Sequence, residues 1–116
     1  MSPSSDPSTL PLRPAVYHIL LALAGRDLHG LGIAEEVEDA SDGVMELGPG
    51  TLYRSLSEMS AAALIEPVPS PDDDADPRRK YYRVTAAGRE VLARESARLA
   101  RLVEKARERR ALPEGA

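Results

Sequence analysis

Cysteine is absent from this 116-residue chain, and with it go any disulfide framework, thiolate metal site or thiol nucleophile. Phenylalanine and tryptophan are absent as well, so four Tyr supply all of the 3% aromatic content. The core must be aliphatic, built from Ala, Leu, Val and Ile. Long apolar runs are missing too. The most extended, AVYHILLALAG from Ala15 to Gly25, falls well short of the roughly 18 residues a membrane span needs. The first 14 residues, MSPSSDPSTLPLRP, carry four Pro and four Ser without an apolar stretch, so they lack the h-region of a secretory signal. These absences lead us to expect a cytoplasmic protein with no membrane partner and a disordered arm over residues 1–13.

The length suits one domain. A net charge of −4 argues at face value against a nucleic-acid partner, since such domains usually show a basic footprint. The charge is segregated along the chain, however. Residues 27–46 hold seven acids and no Lys or Arg, whereas residues 78–83 hold Arg78, Arg79, Lys80 and Arg83 and no acid.

Periodicity orders the elements. Val16, Ile19, Leu20 and Leu23 form the stripe of an amphipathic helix running from Pro14 to Gly25. RDLHG reads as a short connection. Ile33, Val37 and Ala40 then mark a second, weaker helix with an acidic outer face, ended by SDG. VMEL, residues 44–47, reads as a short strand-like link. In GPGTLYRSL, Gly48 can serve as N-cap and Pro49 as first helical residue. Leu52, Leu56, Met59 and Ala63 continue that third helix with a one-sided apolar stripe.

Two β-prone runs, LIEPVP and RRKYYRVT, flank the polar stretch SPDDDADP and predict a hairpin with a loose loop. Thr85 then caps a last helix whose Leu92, Ser96, Leu99, Val103 and Ala106 alternate at four and three residues. The expected fold is mainly α with a small β-hairpin: a winged helix-turn-helix over residues 14–84 plus a C-terminal dimerisation helix over 85–112.

Four blocks in this order, LHGLGIAEEV (28–37), GPGTLYRSLSEM (48–59), ALIE (63–66) and DPRRKYYRVTAAGREVL (76–92), resemble the PadR family of bacterial transcriptional regulators. The likeness extends from Leu12 to about Arg110, and the short C-terminus resembles the subgroup with a single final helix. It implies a homodimer on a pseudo-palindromic double-stranded DNA operator, with the third helix in the major groove and the wing along the backbone. Pro49, Gly50, Thr51, Tyr53, Arg54 and Ser55 would then present to DNA, and Arg78, Arg79 and Lys80 would be wing contacts. Leu92, Leu99, Val103 and Ala106 would form the dimer interface. The chain departs from the family pattern at Leu31, often Tyr, at Gly48, often Ser, and at Ala63, where a Gly usually ends the third helix.

The chemistry of these residues fits two readings at several points. Free N–H groups of Gly50 and Thr51 at the positive end of a helix can bind an anion, or Pro-Gly merely sets the entry angle. Tyr53 either packs under the wing or presents its hydroxyl, and burying the ring while freeing the hydroxyl combines both. Arg54, the only base on the third helix, can pair bidentately with guanine or with Glu58 at i+4. The wing bases follow directly on Asp72, Asp73, Asp74 and Asp76, so the wing either contacts phosphate with its acidic tip swung clear or is a charge-neutralised hairpin. The eight bases and four acids between Arg89 and Arg110 form a solvated helix face or meet the acidic second helix across a dimer.

His18 and His29 have no clustered acid or thiol and predict no metal site. Nothing in the chain is arranged for catalysis, and no cofactor is expected. A family mode in which flat aromatic drugs stack on an interfacial Trp has no residue to use here. The alternatives to a DNA-binding repressor are a winged-helix module that binds protein, and a regulator that needs a small-molecule effector.

Overall fold

The computed structural model describes residues 6–74 and 76–115. Its elements are α1 Pro14–Gly25, β1 Leu28–His29, α2 Gly30–Ala40, α3 Pro49–Ala61, β2 Ile65–Val68, β3 Tyr81–Val84 and α4 Ala86–Glu108. Pro14 stands at the start of α1, where its missing N–H costs no hydrogen bond. The stripe of Val16, Ile19, Leu20 and Leu23 is wholly buried, each side chain contributing about 2 kcal/mol of apolar burial. That makes α1 the centre of the domain: it packs on α2, α3, α4 and β3. Ile33 and Val37 of α2, and Leu52, Leu56 and Met59 of α3, close over it.

Three helices end in the same way. Ala63 (φ 59°) follows α3, Asp42 (φ 54°) follows α2 and Arg110 (φ 54°) follows α4, all in the left-handed region without being glycine. In each the next two N–H groups turn back onto the last carbonyls. After α3, Ala63 N–H donates to the Ser60 carbonyl at 3.0 Å and Leu64 N–H to that of Met59 at 2.9 Å, the paired bonds of a Schellman motif. Met59 and Leu64, both buried, supply its hydrophobic contact. Ala63, standing where the family pattern usually has glycine, adopts the glycine conformation itself.

That turn also holds α4. The Thr85 hydroxyl donates to the Ala63 carbonyl at 2.6 Å and accepts the Gly88 N–H at 3.0 Å, while Thr85 N–H donates to the Leu64 carbonyl at 3.0 Å. α4 approaches so closely that a β-carbon on Gly88 would lie 2.1 Å from the Leu64 carbonyl oxygen.

Several sequence expectations need correction. The sheet has three strands rather than two, in the order β1-β3-β2, antiparallel throughout, with Leu28 opposite Tyr82 and Ile65 opposite Val84. RDLHG supplies the extra strand, too short to leave a periodic signal. VMEL forms no strand; Val44 is exposed, Met45 and Leu47 lean on the core, and Ser41 Oγ accepts the Met45 N–H at 2.9 Å.

Residues 1–5 of the expected arm lie outside the described residues, and residues 6–13 are not disordered. Pro7 and Leu12 are buried, and Leu12 N–H donates to Glu95 Oε2 at 2.7 Å. Glu95, 2% exposed, also accepts from Arg98 Nη2 at 3.0 Å. These bonds, Arg98 first, hold its carboxyl below the ordinary glutamate range although burial pushes it up.

The expected dimer seam divides. Leu92 belongs to the core of the protomer, and the Tyr17 and Ser96 hydroxyls are bonded at 2.9 Å between α1 and α4. Leu99 and Ala106 are half-buried, while Leu102 and Val103 are 50% and 46% exposed. Among the described residues no helix is long and apolar enough to cross a membrane.

Candidate nucleic-acid interface

Gly48 is the N-cap of α3, and no side chain caps the helix. Leu52 N–H is the first to find a partner, the Gly48 carbonyl at 2.9 Å. The N–H groups of Gly50 and Thr51 precede it, at the positive end of the helix dipole. Nothing lies within 4 Å of where a Gly50 β-carbon would stand. Pro49, Gly50, Thr51 and Arg54 are all exposed on this turn.

Ser55 departs from the set. It is 7% exposed, on the inward side of α3 with Leu52, Leu56 and Met59, and reaches the surface only at the edge of the depression that Thr51 and Arg54 line, not on the open face expected of it. The reason is periodicity: Ser55 stands three residues after Leu52 and four before Met59, on the buried face.

Arg54 does not pair with Glu58. Glu58 instead receives Arg13 Nη2 at 2.6 Å, which lays the N-terminal segment along α3 and adds a second guanidinium beside Arg54. Arg13, Thr51 and Arg54 line one shallow depression with Glu58 and Ser55. Sequence reasoning missed Arg13, because its partner stands 45 positions away and no local pattern marks it.

Tyr53 takes neither of its two expected poses in full. It is 57% exposed, yet its hydroxyl reaches across to α2 and lies 2.9 Å from where a β-carbon on Gly30 would be. The ring bridges the start of α2 and the wing instead of packing beneath the latter.

In the wing, β3 residues alternate between core and solvent. Tyr82 and Val84 face the core, and Arg83 faces outward to bond Asp27 Oδ2 at 2.7 Å. The loop before β3 is tied to its own bases. Tyr81 donates its hydroxyl to Asp74 and Asp76 N–H donates at 2.8 Å, which together hold the Asp74 carboxyl below its ordinary range, the Tyr81 bond contributing most. Arg79 lies 3.5 Å from Asp74 and Arg78 3.3 Å from Asp76. Two of the three wing bases thus carry an acid partner. Lys80 stands 5.7 Å above the Tyr82 ring, a cation–π contact that leaves its ammonium in solvent.

His18 meets Tyr17 edge-on, and His29 lies against Tyr81 with ring centroids 5.2 Å apart. Among the described residues no group of His, Cys, Asp and Glu could hold a metal ion.

The arrangement is a helix terminus with open N–H groups, one unpaired guanidinium on its first turns, and the bases Arg78, Arg79 and Lys80 in the loop that leads into β3. Open N–H groups at a helix start and nearby cations are groups that can receive an anion. Comparison with known proteins gives it a context. A family model described as the transcriptional regulator PadR-like family matches residues 19–94. Among curated proteins the chain is similar to an uncharacterized 37.1 kDa protein in transposon TN4556 of Streptomyces fradiae. The two are 38% identical over 84 residues, 72% of this chain and 22% of that protein, so the chain spans about a fifth of that relative's length.

Among solved structures it is similar to a PadR family transcription regulator from hypervirulent Clostridium difficile, with 24% identity and a TM-score of 0.69 over 81% of this chain and 95% of that one. It is also similar to Bacillus subtilis PadR in complex with operator DNA, with 20% identity and a TM-score of 0.59 over 70% of this chain and 45% of that one. At these identities the likeness is one of fold.

Proposed function

The chain belongs to the PadR-like family of transcriptional regulators, and from that premise we propose that it is a sequence-specific DNA-binding regulator, a cytoplasmic repressor that sits as a homodimer on a pseudo-palindromic operator. Residues 14–84 form the DNA-binding unit and residues 85–112 the dimerisation helix. The observation that carries this reading is the first turn of α3, where uncapped N–H groups, an open Gly50 and an exposed Arg54 coincide on one edge.

α3 enters the major groove with Arg54 toward a base edge. Pro49, Gly50 and Thr51 approach the flanking phosphates, and Arg78, Arg79 and Lys80 follow the backbone from the wing. With a single unpaired guanidinium on the helix, specificity in each half-site is thin. Shape readout and the spacing of the two half-sites supply the remainder.

The dimer forms through the outer half of α4, where Leu99, Leu102, Val103 and Ala106 remain at least partly uncovered. A duplex from the chain's own upstream region, titrated at two salt concentrations beside an Arg54→Ala, Arg79→Ala double variant, tests the reading. Tight binding that weakens by about 0.9 log units per phosphate contact per log unit of salt, and is lost in the variant, is expected. An intact dimer that fails to bind at low salt sinks the proposal and points to a protein partner or an obligatory effector.

A further inference from the structure

The start of α2 faces the wing across a cleft of about 480 Å³, lined by His29, Gly30, Tyr53, Arg79, Lys80 and Tyr82. Leu31 completes its wall. No acid lines it, in a protein whose net charge is −4. Four features of this cleft converge on one kind of occupant.

Its floor is the first turn of α2, whose N-cap residue His29 makes no side-chain cap, so the first N–H groups have no partner within the helix. One wall is Tyr53, whose hydroxyl is held over Gly30 in space that any side chain there would fill. The opposite wall is Lys80, whose ammonium is held above the Tyr82 ring and has no acid partner among the described residues, with Arg79 beside it. His29 Nδ1 is enclosed without a hydrogen-bond partner. A hydroxyl, the free backbone donors and the Lys80 ammonium line one volume with no carboxylate among its lining residues, Arg79 alone being shared with Asp74, and such a set suits a tetrahedral oxyanion.

We propose that this cleft is a phosphate site that grips one phosphodiester of the DNA backbone, and that Tyr53 serves it as a phosphate contact instead of reading a base. The inference rests on the DNA-binding reading above and deepens it. α3 would enter the groove while the start of α2 and the wing close on the adjoining strand from its flank. Gly30 is the residue that allows this: without a β-carbon, the hydroxyl can sit against the helix start.

The test uses the full chain and two fluorescent duplexes, its own upstream region and a scrambled sequence of equal length, with variants Tyr53→Phe, Gly30→Ala, both together, and Lys80→Gln. Thermal melting checks each fold beforehand. Tyr53→Phe should weaken binding to both duplexes by the same factor, about five- to tenfold, with the salt slope unchanged because the lost donor is neutral. Lys80→Gln should also act equally on both duplexes and lower the slope by about 0.9.

Gly30→Ala displaces only the far end of the Tyr53 side chain, so it should match Tyr53→Phe, and the double variant should be no weaker than either. Full wild-type affinity in Tyr53→Phe, a loss confined to the upstream duplex, or additive losses in the double variant overturn the proposal while leaving DNA binding intact. Wild-type protein that binds neither duplex at low salt overturns both. If Gly30→Ala fails to fold, Tyr53→Phe and Lys80→Gln decide alone.

Discussion

Replacing Ala63 by glycine should make the protein more stable, although it removes a methyl group and places the most flexible residue at a helix end. Ala63 holds φ at 59°, a conformation that brings Cβ close to the following carbonyl and costs a residue with a β-carbon roughly 1–2 kcal/mol. Glycine removes that penalty. Against the gain stands the larger entropy glycine loses on folding, roughly 0.5–1 kcal/mol relative to alanine. Ala63 is exposed, so deleting its methyl group forfeits little burial.

The balance is a gain on the order of 0.5–1 kcal/mol, or about 4 °C in Tm for a domain of this size. Thermal and urea unfolding followed by circular dichroism would read it. Asp42→Gly and Arg110→Gly are internal comparisons. Asp tolerates the left-handed region better than Ala, so Asp42→Gly should gain less. Arg110 lies beyond the packed part of α4, so Arg110→Gly should leave the global transition unmoved. A lower Tm for Ala63→Gly would refute the argument, because it would mean that the turn joining α3 to β2 is not held in the Schellman geometry on which Thr85 and α4 depend.

Three further outcomes follow from the same packing. Gly88→Ala should destabilise by about 3 kcal/mol, since its β-carbon would stand 2.1 Å from the Leu64 carbonyl oxygen and 2.8 Å from a Val84 methyl; urea unfolding with an unchanged midpoint would refute the close approach of α4. Glu95 contributes stability that is complete above the unfolded glutamate value of about 4.3 and is lost as pH falls through its lowered folded value. Glu95→Gln should therefore be less stable than wild type at pH 7, with the gap closing in acid; a gap that stays constant from pH 7 to pH 3 would count against the buried carboxylate. Val103→Asp should dissociate the proposed dimer without lowering the stability of the protomer, because Val103 is 46% exposed within it; sedimentation velocity would detect the change, and an unaltered dimer would place the interface elsewhere.

Where a stretch of sequence carried a full helical period, the helix was legible, although α3 stops at Ala61 and Ala63, read as the last member of its stripe, stands exposed in the turn beyond it. The α1 stripe is read directly from the spacing of its apolar residues, and the start of α3 from the Gly48–Pro49 pair. Legibility failed where the determining contact is remote in sequence. β1 is two residues long and exists because β3 offers it an edge. The order in residues 6–13 comes from Glu95, 83 positions from the Leu12 N–H it accepts, and composition alone marks that segment as loose. The periodicity of α4 along its whole length puts Leu92 in the expected dimer seam. Only the position of α1 divides that stripe into an inner part used by the protomer and an outer part left open. The candidate site divides in the same way: Thr51 and Arg54 follow from helical phase, but Arg13 and the Tyr53–Gly30 contact arise from elements meeting in space.

The same geometry reconciles an acidic chain with the polyanionic partner proposed for it. The acids of α2 lie on the outer side of that helix, around Glu35, Glu38, Asp39 and Asp42, whereas the exposed first turn of α3 holds no acid from Pro49 to Arg54. Four carboxylates of α3, the wing and the segment before β1 carry a base partner, Glu58 with Arg13, Asp27 with Arg83, Asp74 with Arg79 and Asp76 with Arg78, while Glu46, three residues before Pro49, stays exposed. Charges more than about 8 Å from the contact are largely screened at physiological salt, so the net charge of −4 acts mainly on the approach and little on the docked complex. Lowering the salt strengthens each phosphate contact but also lengthens the reach of the α2 acids. The affinity gained at low salt should then fall short of the gain that a count of phosphate contacts would give, and neutralising Glu35 and Glu38 together should restore the difference.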